Sequence, residues 1–124
     1  MLALIRLLKI WNRHHRVGTK KPVRSYHLEI MLYQLPVAQP GTALGDRLRQ
    51  AFVFVSQQIK KAAVSPGTGT RVDDYDNVRK TSAQRKLQEA CQAIDAYQIV
   101  RNPRHLLHHV LGSDWQKYVK NLPL

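Results

Sequence analysis

The sequence predicts an all-α domain, a single compact bundle of about five helices spanning residues 1–124. Three observations predict it. Apolar residues recur at steps of three and four along successive segments, the signature of helices with one core-facing stripe. Glycine and proline fall between those segments. No segment alternates convincingly with period two, and no internal repeat is visible, so the elements have only one another to pack against. A chain of 124 residues can build one hydrophobic core without metal or disulfide staples.

The first helix is expected from Leu2 to His15, with Leu4, Leu7, Leu8 and Trp11 on one face and Arg6, Lys9 and Arg13 off it. Gly18 and the basic stretch to Pro22 end it. The second runs from Arg24 to Leu35 on Leu28, Met31, Leu32 and Leu35, closed by Pro36 and Pro40-Gly41. The third, Leu44 to Ala63, carries the clearest stripe in Leu44, Leu48, Phe52, Val55 and Ile59. Val64 to Val72 has the composition of a flexible loop. The fourth covers Val78 to Val100 on Ala83, Leu87, Ala90, Cys91, Ile94 and Tyr97, with Thr81 and Gln84 offering a capping box that places its ordered start there. Asn102-Pro103 is a cap and first-turn proline for a fifth helix that Gly112 ends.

Charge sets the class of partner. Lys and Arg number 20 against 8 Asp and Glu, a formal net charge of +12. Such a surface attracts polyanions: nucleic acid, nucleoside triphosphates or anionic membrane. One cysteine, Cys91, excludes an internal disulfide framework. At an apolar helical position it reads as a structural thiol and fits a reducing, cytoplasmic setting. The apolar N-terminus, Met1 to Trp11, is broken by Arg6 and Lys9 and is too short to span a bilayer, so it reads as an amphipathic helix.

Catalytic patterns are weak. His105 and His109 stand four apart, a metal-ligand spacing, but with no third ligand near them they read as solvated or packing residues. Asp74-Tyr75-Asp76 spells the carboxylate pair that holds magnesium in phosphoryl-transfer sites. Here it follows a loop and precedes a helix, not the rigid strand such a pair needs, so it reads as a polar lead-in. Gly67-Thr68-Gly69-Thr70 lacks the lysine and flanking strand of a phosphate loop. No nucleophile–base–acid arrangement emerges.

The basic residues are more informative. Arg6, Lys9, Arg13 and Arg16 lie along the first helix, and Lys20, Lys21 and Arg24 follow in the linker to Ser25 and Tyr26. Backbone N–H groups at a helix start, with a hydroxyl and lysines beside them, suit a phosphate. A neighbouring tyrosine offers a face for a base. Ser25 as a simple N-cap and Tyr26 as core is the other reading of the same residues.

Leu4-Ile5-Arg6-Leu7-Leu8-Lys9-Ile10-Trp11-Asn12, a basic loop, then Lys21-Pro22-Val23-Arg24-Ser25-Tyr26-His27-Leu28-Glu29 resembles the helical C-terminal lobe of the oligoadenylate-synthetase-like nucleotidyltransferases. These include bacterial cyclic-oligonucleotide synthases of antiviral defence and animal cyclic GMP–AMP synthase. That family has a Lys-x-Trp-Asn helix followed by Ser-Tyr/Phe-His-Leu-Glu. Further on, Asp73-Asp74-Tyr75, Arg79, the alanine-rich helix and Leu111-Gly112 are similar to its last two helices, with Leu122-Pro123 in place of its Phe-Pro ending.

The resemblance implies that Lys9 contacts a triphosphate, Ser25 bonds a phosphate oxygen and Tyr26 stacks on the base. Arg6, Arg13, Lys20, Lys21 and Arg24 would give electrostatic support. It also marks an omission. The family's N-terminal lobe, with its Gly-Ser motif, metal-binding Asp-x-Asp and third acid, has no counterpart in this sequence. Phosphoryl transfer depends on those metals, so this chain alone is expected to be inactive and to bind no cofactor, with Mg2+ entering only with a catalytic lobe. The chain would be a fragment, one half of a split enzyme, or a lobe without its catalytic mate. An inter-lobe face around Ile10, Trp11 and the apolar side of the first helix is then expected at the surface, predicting a catalytic-lobe partner or a homodimer. The rivals are a small basic helical nucleic-acid-binding subunit and a helical adaptor that docks on an acidic protein.

Overall fold

Helix α1 (Leu2–His14) turns its apolar stripe inward, and Leu4, Ile5, Leu7, Leu8 and Trp11 are all buried. The computed structural model describes residues 2–98, 107, 108, 110–112 and 115. Among these, α2 (Ser25–Tyr33), α3 (Leu44–Gln58) and α4 (Asn77–Gln98) complete four helices, with no strand and two isolated β-bridges. The all-α expectation holds. Four helices are delimited rather than five. The Asn102-Pro103 start of the expected fifth lies outside the described residues. Within that segment Leu107, His108, Val110 and Leu111 are helical, and Gly112 donates its N–H to the His108 carbonyl at 3.0 Å. Among the described residues no helix is long and apolar enough to cross a membrane.

α2 packs against both α1 and α3. It is nearly as apolar on one side as on the other, and His27, Leu28, Ile30, Met31 and Leu32 are buried. α3 and α4 form the most extensive helix pair and meet through Leu48, Ala51, Phe52, Val55 and Ile59 on one side and Ala83, Leu87, Ala90 and Ile94 on the other. The Trp11 indole meets the Phe52 ring edge-on at 5.3 Å between centroids, a favoured aromatic geometry that ties α1 to α3. Cys91 is half-buried against this core, and burial pushes its thiol pKa up, as suits a structural role.

Several boundaries differ from expectation for local reasons. α2 stops at Tyr33 because Pro36 disfavours helical backbone at Leu35. The Gln34 and Leu35 N–H groups turn instead to carbonyls three residues back. α3 ends at Gln58, not at Ala63, because Ala63 is claimed elsewhere. Its N–H donates to the Asp73 carboxylate at 3.0 Å and its carbonyl accepts from Val72 at 3.0 Å. The segment expected to be a flexible loop is a hydrogen-bonded turn, with Val64 bridged to Arg71 and Ser65 N–H donating to Thr70 O at 2.8 Å. α4 starts at Asn77, four residues before Thr81. Asp76 Oδ1 accepts from the Arg79 N–H at 2.7 Å and caps the helix. Gln84, assigned to a capping box from sequence, donates to the Ser56 carbonyl at 2.8 Å and joins α4 to α3.

One expectation is overturned. Trp11 is 1% exposed and the apolar side of α1 lies inside the bundle, so no apolar inter-lobe patch opens there. The second and third helices pack against it. Ile10 alone of those residues is partly accessible.

Candidate phosphate-binding cleft

α1 and α2 are joined by a basic loop whose course is fixed at several points. Gly18 has φ +64, the left-handed conformation that lets Val17 and Lys20 exchange both backbone hydrogen bonds, at 2.8 and 3.1 Å. The Asn12 carboxamide grips Val23 at both ends. Its Oδ1 accepts from the Val23 N–H at 3.0 Å and its Nδ2 donates to the Val23 carbonyl at 2.6 Å. From α4, Arg79 donates to the Lys21 carbonyl at 2.7 Å and Lys86 to the His15 carbonyl at 3.4 Å. The loop therefore returns the chain to the start of α2 in one defined path.

That path leaves a cleft of about 720 Å³ lined by Arg6, Lys9, Ile10, Arg13, His14, Arg16, Lys21, Ser25 and Leu111. Arg6, Lys9 and Arg13 follow one another at helical steps of three and four on the side of α1 away from the core. Lys21 Nζ donates to Ser25 Oγ at 2.9 Å. The lining holds five cationic side chains and a histidine, and no carboxylate. Glu29, one turn along α2 from Ser25, lies just outside and accepts from Lys9 at 2.7 Å. Among the described residues Arg6 and Arg16 have no ion-pair partner. Like charges this close repel, and an anion entering the cleft relieves that repulsion.

The start of α2 adds to the field. Arg24 occupies the N-cap position and makes no side-chain capping bond, so the first N–H groups of the helix keep their partial positive charge. Ser25 is thus the first helical residue and not a cap. Tyr26 is not core: its side chain is half out of the protein, 49% exposed, and its hydroxyl shares a 2.8 Å hydrogen bond with Ser65 Oγ.

The structure brings Arg6, Lys9, Arg13, Lys21 and Ser25 together and adds His14, Ile10 and Leu111, which sequence reasoning did not place there. Leu111 arrives by tertiary packing and left no local signal. His14 was legible only as the neighbour of Arg13. Lys20 is exposed at the loop tip, away from the lining. Arg24 leaves the cleft altogether. Its guanidinium pairs with Asp74 and lies over the Tyr75 ring, 5.1 Å from the centroid.

Asp74 and Asp76 do not converge on one ion. Asp74 is held by Arg24, and Asp76 caps α4. Their neighbour Asp73 is the buried one, 1% exposed, and accepts from Arg71 at 2.9 Å, Lys80 at 3.1 Å and the Ala63 N–H. The Arg71 guanidinium, with Ala63 and Lys80, holds its carboxyl well below the usual carboxylate range, against the opposing pull of burial. Beside it His27 Nδ1 and the Tyr75 hydroxyl are 2.6 Å apart, while Arg79 and Lys80 approach the Tyr75 ring. This cluster is a pin between α2 and the lead-in to α4. Among the described residues no group of three His, Cys, Asp or Glu side chains could hold a metal ion. His105 and His109 lie outside the described residues.

Compared with known proteins, the chain matches no family model and no curated protein.

Proposed function

We propose that this chain is a non-catalytic helical lobe that holds the phosphates of a nucleoside triphosphate or of nucleic acid in the cleft between α1 and the start of α2. The observation that carries the proposal is the lining itself: five cations, a serine hydroxyl and a helix N-terminus around one cavity, with no carboxylate among them. Lys9 contacts the phosphate chain, Ser25 bonds a phosphate oxygen, and Tyr26, adjacent in sequence with its ring half exposed, offers a stacking face. In an antiviral-type nucleotidyltransferase, such a lobe positions the triphosphate against a catalytic lobe, here supplied by another chain or segment together with its Mg2+.

Calorimetric titration with ATP and GTP, with and without Mg2+, tests this. Saturable binding that is lost in Lys9→Ala and weakened in Ser25→Ala is the expected result. Losses that track only the number of positive charges removed anywhere on the surface favour the rival, a basic nucleic-acid-binding subunit without a defined cleft, for which the net charge of +12 speaks.

A further inference from the structure

We infer that the occupant of the cleft is a stretch of single-stranded nucleic acid several phosphates long, bound in preference to a single nucleotide. The inference rests on the cleft being a phosphate site and names its ligand class.

The first argument is length. Arg6 and Arg13 are two helical turns apart, about 10 Å along α1. Arg16 carries the row of cations past the end of the helix. A triphosphate is compact, its phosphorus atoms sharing bridging oxygens, and neutralises one end of such a row. A nucleic-acid strand presents its phosphates one after another, which is the pattern this row matches.

Width is the second argument. A cavity of about 720 Å³ admits a strand, whereas a duplex would rest on the rim, because its phosphates run on two separated ridges. The third argument is the surface between the cations. Ile10 and Leu111 contribute apolar patches to the lining and the His14 ring stands among the arginines, while the half-exposed Tyr26 follows Ser25 just outside the lining. Flat and apolar surfaces interleaved with cations suit bases that stack beside a tracked backbone. The lining holds no Asn, Gln, Asp or Glu, the side chains that read adenine and cytosine edges, so no preference for those two bases is expected.

The test is fluorescence anisotropy with a ladder of labelled oligothymidylates from dimer to octamer. An octamer duplex, ATP and inorganic triphosphate are the competitors, at two salt concentrations. Affinity is expected to rise with strand length, with the octamer about tenfold or more tighter than ATP, as added phosphate contacts release further counterions. Arg6→Ala and Arg16→Ala each lower the slope of log affinity against log salt by roughly 0.7 for the octamer, with little effect on ATP. The pair Lys60→Ala and Lys61→Ala, away from the cleft, leaves the slope close to that of the parent. ATP or triphosphate binding as tightly as the octamer, with no dependence on length, overturns the inference and leaves the phosphate cleft standing. A preference for the duplex, or equal losses from the Lys60 and Lys61 substitutions, also overturns it. If neither strand nor triphosphate binds, the cleft proposal falls with it.

Discussion

Asn12 holds Val23 by both backbone groups across the α1–α2 loop, donating at 2.6 Å and accepting at 3.0 Å in a buried setting. The same clip places Lys21 and Ser25 opposite the cations of α1. Asn12→Ala leaves a buried N–H and a buried carbonyl without partners, each worth about 1–3 kcal/mol. A loss of about 3 kcal/mol in urea unfolding is expected, together with weaker triphosphate binding because the loop is released. Unchanged stability would mean that Val23 finds other partners.

His27 governs a pH window above that of the carboxylates. Burial, with Lys80 and Arg24 nearby and only partly offset by Asp73, depresses its pKa to about 4. The unfolded chain takes up this proton near its ordinary value of about 6.5, so the unfolded state binds more protons between those values. Stability therefore falls as pH drops from about 6.5 to 4, by at most about 1.4 kcal/mol per unit from this residue. His15, also lowered by burial, acts in the same direction. His27→Gln is expected to flatten the slope in urea unfolding measured across that range. Its partner Tyr75 is pushed up to about 12, chiefly by burial, and ultraviolet titration of the phenols should show a late-ionising component that is lost in Tyr75→Phe.

Asp73 acts at lower pH. Its carboxyl is depressed first by Arg71, then by Ala63 and Lys80. A depressed carboxylate contributes stability above its unfolded value of about 3.9 and loses it as pH falls toward the folded value. Asp73→Asn leaves Lys80, 8% exposed, without its buried partner, a change expected to lower stability by about 3 kcal/mol at neutral pH. The gap between variant and parent should narrow below pH about 4. A constant gap at all pH values would assign the effect to packing instead of charge.

Gly112 lies at φ +91, where an L side chain is strained, and a Cβ there would sit 2.6 Å from His14 Nδ1. The His14 ring can move aside, but the backbone conformation cannot be relieved as easily. Gly112→Ala is expected to destabilise by about 1–2 kcal/mol and to alter the cleft wall formed by His14 and Leu111. Thermal unfolding and triphosphate titration of the variant check both effects.

What the sequence revealed depended on whether a cause was local. The α3 stripe of Leu48, Phe52, Val55 and Ile59 was legible because periodicity records which face is buried, and all four are buried. Arg6, Lys9, Arg13 and Arg16 were legible as a cationic row, and Lys21 with Ser25 as its continuation. Tertiary causes left no such record. The early end of α3 is set by Asp73 taking the Ala63 N–H ten residues away. Arg24 looked like one more cleft cation, but Asp74, fifty residues on, withdraws it. Trp11 looked like an exposed docking face only while the helices that cover it were out of sight.

The most direct measurement is backbone NMR of the uniformly labelled chain titrated with inorganic triphosphate. Shifts concentrated at residues 6–16 and 21–26, with the Ser25 and Tyr26 amides among the largest and saturating together, are the predicted result. Weak, unsaturated shifts spread equally over Lys60, Arg71, Arg85 and the cleft would contradict a defined phosphate site and leave only a uniformly basic surface.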